Sequence, residues 1–327
     1  MVENNCKYKK VRQWRDDNIG NYLSSNDELN HFHHKIMNKV LEVAIDELKE
    51  KCGVPPSDFS WFVMGSGGRF EQAIVSDQDH GLVYERKGNR SDTYFQALGK
   101  EITKGLYLVG YPYCEGNVMS SNPLWCRSME EWQAQIISWM EEKSWESIRY
   151  LLIFYDARPL IGNDKFVQGL KQMIYQYIRE YPYFLNRLLN NTMRIQKGIG
   201  FFGQFLTETH GIHTGSIHIK GYGFFPYVNA VRLLSIKEKI NVTSTLSRLH
   251  QLSLLPSYKQ EMNIHQLNFK KLLDYRLMNS SEKDNYEDIH YLNIKEMNPK
   301  QKKELKQILK GAVVFQRSIQ KIILKGS

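Results

Sequence analysis

The residues with the clearest chemical potential lie close together. In VMGSGGRFEQAIVSDQDHGLVY (Val63 to Tyr84) an apolar run enters a glycine cluster, and two aspartates one residue apart, Asp77 and Asp79, follow it. A strand that ends in Gly65-Ser66 and leads into a helix presents backbone N–H groups and a hydroxyl at a helix N-terminus. Such a turn holds anions through its unpaired donors and the helix dipole, and glycine allows the backbone to approach the ligand closely. It is not a Walker A loop, because no Lys-Ser or Lys-Thr closes it, and it lacks the spacing of a dinucleotide fingerprint.

The acidic pair supplies what the turn lacks. Side chains at i and i+2 of a strand point to one face, about 6.5 Å apart. Two carboxylates held that way share a hard cation such as Mg²⁺, with substrate phosphate oxygens completing the octahedron. With a third carboxylate they hold two metals, one activating the attacking oxygen and one steadying the leaving pyrophosphate. Ser-Asp-Gln-Asp is also good turn chemistry. Its position one short helix after an anion turn favours the site over a solvated loop.

The elements that must position these residues can be read from spacing. Residues 1–25 are polar and mixed, a lead-in to the first ordered element. Ser25 to Glu28 reads as a capping box opening a helix whose apolar stripe includes Leu29, Phe32, Met37, Val40, Leu41, Ala44 and Leu48, with Gly53 as its stop. Trp61 to Met64 reads as a buried strand, and His80 to Tyr84 as a second. A helix follows over about 91–108, and Ser128 with Glu131 caps another that runs to about Trp145. Trp125, Trp132 and Trp139 recur every seven residues, which is a core stripe, although Trp125 falls in a loop where it is open to stacking on a base. Leu151 to Tyr155 reads as a further strand. Beyond 165 strand signals vanish and helices follow one another, the last capped by Asn298 with Pro299 at its first position. The composition shift divides the chain into a head, 26–164, and a helical domain, 165–327.

Bulk properties narrow the class. The chain has 327 residues and 42% hydrophobic content, enough for a sizeable core. Its four cysteines form no CxxC pair, which argues against a disulfide framework or a zinc knuckle and suits a reducing cytosol. No signal peptide is read in MVENNCKYKK, and no apolar run approaches the length of a membrane helix. A cytoplasmic protein without membrane partners is expected. The formal charge of +9 is read as lysine-coated helices that also attract a polyphosphate ligand, and nucleic acid is not the expected partner. His210, His213 and His218 approach metal spacing, with no cysteine or carboxylate at a zinc-like interval.

Gly65-Ser66 followed by Asp77-x-Asp79 resembles the signature of the DNA polymerase beta-like nucleotidyltransferase superfamily. The fuller string (Gly65, Ser66, Gly68, Arg69, Glu71, Gln72, Ser76 to Asp79) resembles one branch, the nucleotidyltransferases related to the head domain of the PII uridylyltransferases and of the glutamine-synthetase adenylyltransferases. CEGNVMSSNPLW (114–125) and FYDARPLIG (154–162) resemble later motifs of that branch, and IHIKGYG from Ile217 resembles its helical substrate-binding domain. The resemblance spans about 30–325. It implies an α/β (α+β) head with a small mixed sheet followed by an all-α helical bundle.

It also implies roles. Gly65 and Ser66 hold the triphosphate, and Asp77 and Asp79 coordinate two Mg²⁺ ions with a third carboxylate. Asp156, in a D-x-R element, matches that third position, with Glu115 as its competitor. Asp156 as a ligand would also be placed to take the acceptor proton. Arg69 either neutralises phosphate charge, oriented by Glu71, or is stapled to Glu71 to hold the turn. Lys220 matches a cation that grips the triphosphate from the helical domain. The implied activity is transfer of a nucleoside monophosphate from a nucleoside triphosphate to an acceptor hydroxyl, with a regulatory protein among the candidate acceptors. The rivals are a nucleotide-binding regulatory module without turnover and a transferase acting on small molecules of the aminoglycoside type.

Overall fold

The protein is described by a computed structural model covering residues 2–192, 194–280 and 285–325. The chain forms two compact units, 1–176 and 177–327. The first is an α/β head around a four-stranded mixed sheet, and the second is helical with a two-stranded ribbon.

The head sheet has the order β3-β2-β1-β4, with β1 at Phe59–Val63, β2 at His80–Tyr84, β3 at Cys126–Ser128 and β4 at Arg158–Gly162. The β2/β3 pair is parallel, and the two pairs made by β1 are antiparallel. Alternation along β1 assigns its faces. Trp61 and Val63 join a core with Phe32, Ile36 and Val40 of α2 (Asn26–Cys52) and with Phe95, Leu98 and Ile102 of α4 (Asn89–Val109). Phe62, on the opposite face, meets Trp132 of α5 (Met129–Glu142) and Phe154 of α6 (Trp145–Tyr155) edge-on. Both faces are therefore covered, and β1 and β2 are buried along nearly their whole length.

Several expected elements form as read. Ser25 caps α2 by accepting the Glu28 amide, and Ser128 with Glu131 makes a complete capping box on α5. Four readings need correction. The polar lead-in contains a helix, α1 (Val2–Asn18), whose Tyr8 and Val11 are buried and whose Trp14 packs on the same core; so few apolar residues among polar ones leave a weak period. Leu151 to Tyr155 is helix, because Ile148, Leu151, Leu152 and Tyr155 are buried at helical spacing and Ser144 caps the element. The helix from Ser128 stops at Glu142, where Lys143 takes a left-handed conformation. Trp125 is fully buried against Trp132 and Trp139, so it belongs to the core.

The helix α7 (Asp164–Glu180) runs from the first unit into the second. The second unit continues with α8 (Phe184–Thr192), α9 (Phe225–Lys237), α10 (Thr245–Ser253), α11 (Lys259–Ser280) and α12 (Pro299–Lys325). Helix α9 is apolar almost all round, buried from Pro226 to Ile236 apart from Asn229, and it packs against α8, α10 and α12. The ribbon, β5 (Ser216–His218) with β6 (Tyr291–Asn293), joins segments far apart in the chain through three-residue strands, too short to leave a period-two pattern. Among the described residues no helix is long and apolar enough to cross a membrane.

One buried histidine links fold to pH. The partners of His33 of α2 fix its tautomer: its Nε2–H donates to the Ala73 carbonyl at 2.9 Å, and its Nδ1 accepts from the Tyr111 hydroxyl at 2.7 Å. Burial, with Arg15 adding to it, lowers its pKa to about 3 even though the Ala73 bond acts the other way. The unfolded chain then binds the extra proton, so this stability is complete above the ordinary 6.5 and is lost as pH falls towards 3. The slope is about 1.4 kcal/mol per pH unit for one such group. His33→Gln should flatten the fall of the urea midpoint between about pH 6 and pH 4 by one proton's worth; an unchanged slope would place the titration elsewhere.

Candidate active site

The site begins where β1 ends. The Met64 amide donates to the Asp79 carbonyl at 2.8 Å, which ties the strand end to the acidic segment. Gly65–Gly68 forms a single helical turn, α3. Gly65 has φ +52°, and a Cβ there would lie 2.0 Å from Asp79 Oδ2; at Gly68 it would lie 2.1 Å from the Asp156 carbonyl. Glycine is therefore required twice, once where Asp79 and once where Asp156 closes on the turn.

The helix read between the phosphate end and the metal end does not continue past Gly68. Phe70 takes φ +57°, and the chain to Asp79 is irregular. The physical reason is that α1 and α2 satisfy this backbone from outside. Asn26 Nδ2 donates to the Phe70 carbonyl (2.7 Å), Asn30 accepts the Gln72 amide (2.9 Å) and donates to its carbonyl (3.2 Å), and Arg15 donates to the Ile74 carbonyl (3.2 Å).

The acidic segment alternates in burial. Gln78 and His80 are buried, whereas Asp77 and Asp79 are half-buried. The buried face is one hydrogen-bonded chain. Trp61 Nε1–H donates to His80 Nδ1 (3.2 Å), which fixes the imidazole proton on Nε2, and that proton goes to Gln78 Oε1 (3.0 Å). Gln78 Nε2 then donates to the Tyr111 and Thr103 carbonyls (3.0 and 3.3 Å). Burial holds His80 neutral, with its pKa lowered to about 3. Anchoring Gln78 and His80 turns both aspartates to the opposite face.

The same anchor brings up a third group that sequence reasoning passed over. Gln78 bridges to Tyr113 and its amide donates to the Pro112 carbonyl (3.2 Å), while the His80 amide donates to the Val118 carbonyl (3.0 Å). The loop so held contains Cys114. Asp77, Asp79 and Cys114 offer one ligand atom each within 4.8 Å of one another, and this is the group of metal-ligating type among the described residues. Burial pushes the Cys114 thiol well above its usual range, and the charge of Asp79, its hydrogen bond and Asp77 add to that. Paired carboxylates suit Mg²⁺, which keeps open positions for phosphate oxygens. The thiol is a soft donor and contributes nothing to a hard ion. The signal for Cys114 lay one residue from Glu115, which is exposed.

Asp156 is not in that group. It is fully buried at the end of α6, and its Oδ2 accepts from Arg69 NH1 at 2.7 Å, while Arg69 Nε donates to Glu71 Oε2 at 2.8 Å. Burial acts against the Arg69 charge, but the two carboxylates outweigh it and raise its pKa. The second charged residue of the D-x-R element grips the same turn: Arg158 NH2 donates to the Gly67 carbonyl (3.1 Å), and its guanidinium lies 3.9 Å from the centre of the Phe70 ring. Burial lowers the Arg158 pKa to about 10. Ser66 is half-buried on the turn, and its carbonyl accepts the Glu71 amide (2.8 Å).

Lys220 lies in the second unit, at the start of a π-helical turn over Lys220–Phe224. Its Nζ lies 3.1 Å from His290 Nε2 and 3.4 Å from the Tyr286 hydroxyl. His213 pairs with Asp288 at 3.3 Å and stacks on Tyr291, as does His218, and neither falls in a group of metal-ligating type among the described residues.

Residues 24–146, which carry the glycine turn, both aspartates and Cys114, match the family model described as "Putative nucleotidyltransferase DUF294". The class indicated for the head is thus nucleotidyl transfer. Residues 182–323, within the second unit, match the model described as "Putative nucleotidyltransferase substrate binding domain". Together the models match most of the chain, which belongs to this two-domain nucleotidyltransferase family. No curated protein matches it significantly. Asp156 and Arg158 lie beyond the matched part of the head.

The ion-paired turn and the acidic face should respond differently to substitution. Arg69→Met removes the cation that two buried carboxylates share and should destabilise the head by about 3–5 kcal/mol. Asp156→Asn should shift the urea midpoint in the same direction, and the half-buried Asp77→Asn should leave it nearly in place. An Asp156→Asn midpoint equal to that of the parent would show that the pair does not hold the turn.

Proposed function

We propose that the head transfers a nucleoside monophosphate from a nucleoside triphosphate to an acceptor hydroxyl, with Mg²⁺ held by Asp77 and Asp79. The observation that carries this reading is the pair of aspartates turned to one face by buried Gln78 and His80, with Asp79 closed against Gly65. In the reaction the acceptor oxygen bonds to the α-phosphorus, the bond to the bridging oxygen breaks, and pyrophosphate leaves. The metal supplies charge neutralisation on the phosphates and activation of the attacking oxygen. Gly65 and Ser66 bind the triphosphate, and the main contribution of the chain to rate is orientation and electrostatic stabilisation.

Asp156 and Glu71 enter this reading as positioning residues, because both carboxylates bond Arg69 beside the turn. Lys220 is assigned to the triphosphate on its motif. The likeness of the motifs to those of PII uridylyltransferases supports a hydroxyl on a protein as the acceptor, in the cytoplasm. A second reading, triphosphate binding without turnover, is favoured by one specific observation: the metal-type group contains two carboxylates and a thiol, without a third carboxylate.

Incubation with each α-labelled nucleoside triphosphate, Mg²⁺ and cell extract should transfer label to an acceptor. Asp77→Asn/Asp79→Asn should abolish that transfer with the fold retained. Label transfer that persists in the double variant would sink the metal-pair mechanism, whereas triphosphate binding without transfer by the parent would select the second reading. Lys220→Met should raise KM for the triphosphate about tenfold or more, the loss of one charge-assisted contact, with little change in the urea midpoint; an unchanged KM would remove Lys220 from the site.

A further inference from the structure

The thiol of Cys114 has no part in Mg²⁺ chemistry, yet it is held where a cation on the aspartate pair would meet it. Its sulfur and one oxygen from each of Asp77 and Asp79 lie within 4.8 Å of one another. That spacing is close to what ligands around one small divalent ion require, since Zn²⁺ binds sulfur at about 2.3 Å and carboxylate oxygen at about 2.0–2.2 Å. The three groups come from two segments joined by backbone. Asp77 and Asp79 flank Gln78, and Gln78 both bridges to Tyr113 and donates its amide N–H to the Pro112 carbonyl. Cys114 is therefore fixed relative to the pair by the element that orients the aspartates. All three side chains are half-buried, so an ion in solution can reach them.

We propose that Cys114 makes the aspartate pair a mixed oxygen–sulfur site that takes a thiophilic divalent cation of the zinc and cadmium class, and that such an ion competes with Mg²⁺ there. The inference rests on the reading that Asp77 and Asp79 hold the catalytic cation. Ligand softness sets the selectivity: thiolate favours zinc-class ions, whereas carboxylate and water suit Mg²⁺. On binding, one metal–sulfur bond forms, the S–H bond breaks, and its proton leaves to solvent, as metal binding to a thiol requires. A cation held by two carboxylates and a thiolate has fewer positions for phosphate oxygens, so the zinc-class ion inhibits transfer where Mg²⁺ supports it. The four cysteines are free, and Cys6 and Cys52 are exposed, so a clean test removes those two first.

The test uses the full-length chain carrying Cys6→Ser and Cys52→Ser. Titration with Cd²⁺ alone should produce a thiolate-to-cadmium ultraviolet absorption band that saturates at a single site. Adding Cys114→Ser should abolish the band and weaken Cd²⁺ binding, followed by calorimetry, by more than about tenfold, the lower end of what even outer-sphere partners contribute. The same variant should bind Mn²⁺, used as the probe for the hard-ion site and read by electron paramagnetic resonance, within about threefold of its parent, because sulfur adds little for a hard ion. Asp77→Asn/Asp79→Asn should weaken both ions. A band that survives Cys114→Ser, or that is indifferent to loss of the aspartates, overturns the proposal. If Mn²⁺ fails to bind the parent while the cadmium band still needs all three residues, the mixed site stands and the Mg²⁺ reading of the pair falls.

Discussion

The head depends on one guanidinium held between two buried carboxylates. Arg69 follows a four-residue glycine turn that has no apolar side chain with which to pack, so hydrophobic burial cannot hold it in place. Its bonds to Glu71 and Asp156 supply the constraint instead, one within the turn and one to the end of α6. A buried ion pair contributes little net stability compared with an apolar replacement. What it contributes here is position: removing any member leaves a buried charge, so the turn, the end of α6 and the start of β4 share a single arrangement. Arg158 completes that arrangement on the Gly67 carbonyl and covers Phe70, whose left-handed backbone carries a strain of roughly 1–3 kcal/mol.

The acidic segment shows how one period serves two purposes. Asp77-Gln78-Asp79-His80 alternates between a face that is structural and a face that is chemical. The structural face is specified by hydrogen bonds, which have direction, and not by apolar packing, which has none. Trp61, His80 and Gln78 can satisfy one another in one tautomer and one register, and that register decides where the carboxylates point. A one-residue slip would bury both aspartates and expose the imidazole. Residues without chemistry of their own therefore determine the spacing of those that have it.

How much was legible follows from the range of each interaction. Capping at Ser25 and Ser128 and the stripe of α2 are local, and they formed where the sequence put them. The turn at Gly65 and the paired aspartates were also visible, because their residue types are rare in that order and their separation is short. The failures were of two kinds. Leu151 to Tyr155 is apolar at every position, so periodicity could not separate strand from helix, and the cap at Ser144 that decides it lies seven residues upstream. Cys114 and the partners of Asp156 depend on contacts across dozens of residues: Arg69 and Asp156 are 87 apart, and Gln78 meets Thr103 and Tyr111 across 25 and 33. Nothing in local composition encodes a pairing at that distance. The D-x-R element was noticed as a unit, but its two charges turn out to grip the glycine turn, a role that only the fold reveals.

Charge acts at two ranges in this chain, and the two should not be confused. The excess of nine positive charges extends a field that favours polyphosphate ligands, but salt screens it beyond roughly 8 Å in physiological solution. At contact the sign reverses, since Asp79 closes on Gly65 beside Asp77, and Arg69 next to the turn is already bonded to two other carboxylates. A bare polyphosphate attracted from afar would therefore meet repulsion at the aspartates, whereas the same polyphosphate carrying a divalent ion would not. The long-range field governs encounter, and under the proposed function the local pair would make the cation a condition of docking. Under the proposed function, basicity of the chain and acidity of the site are complementary requirements of one ligand, a metal-complexed triphosphate.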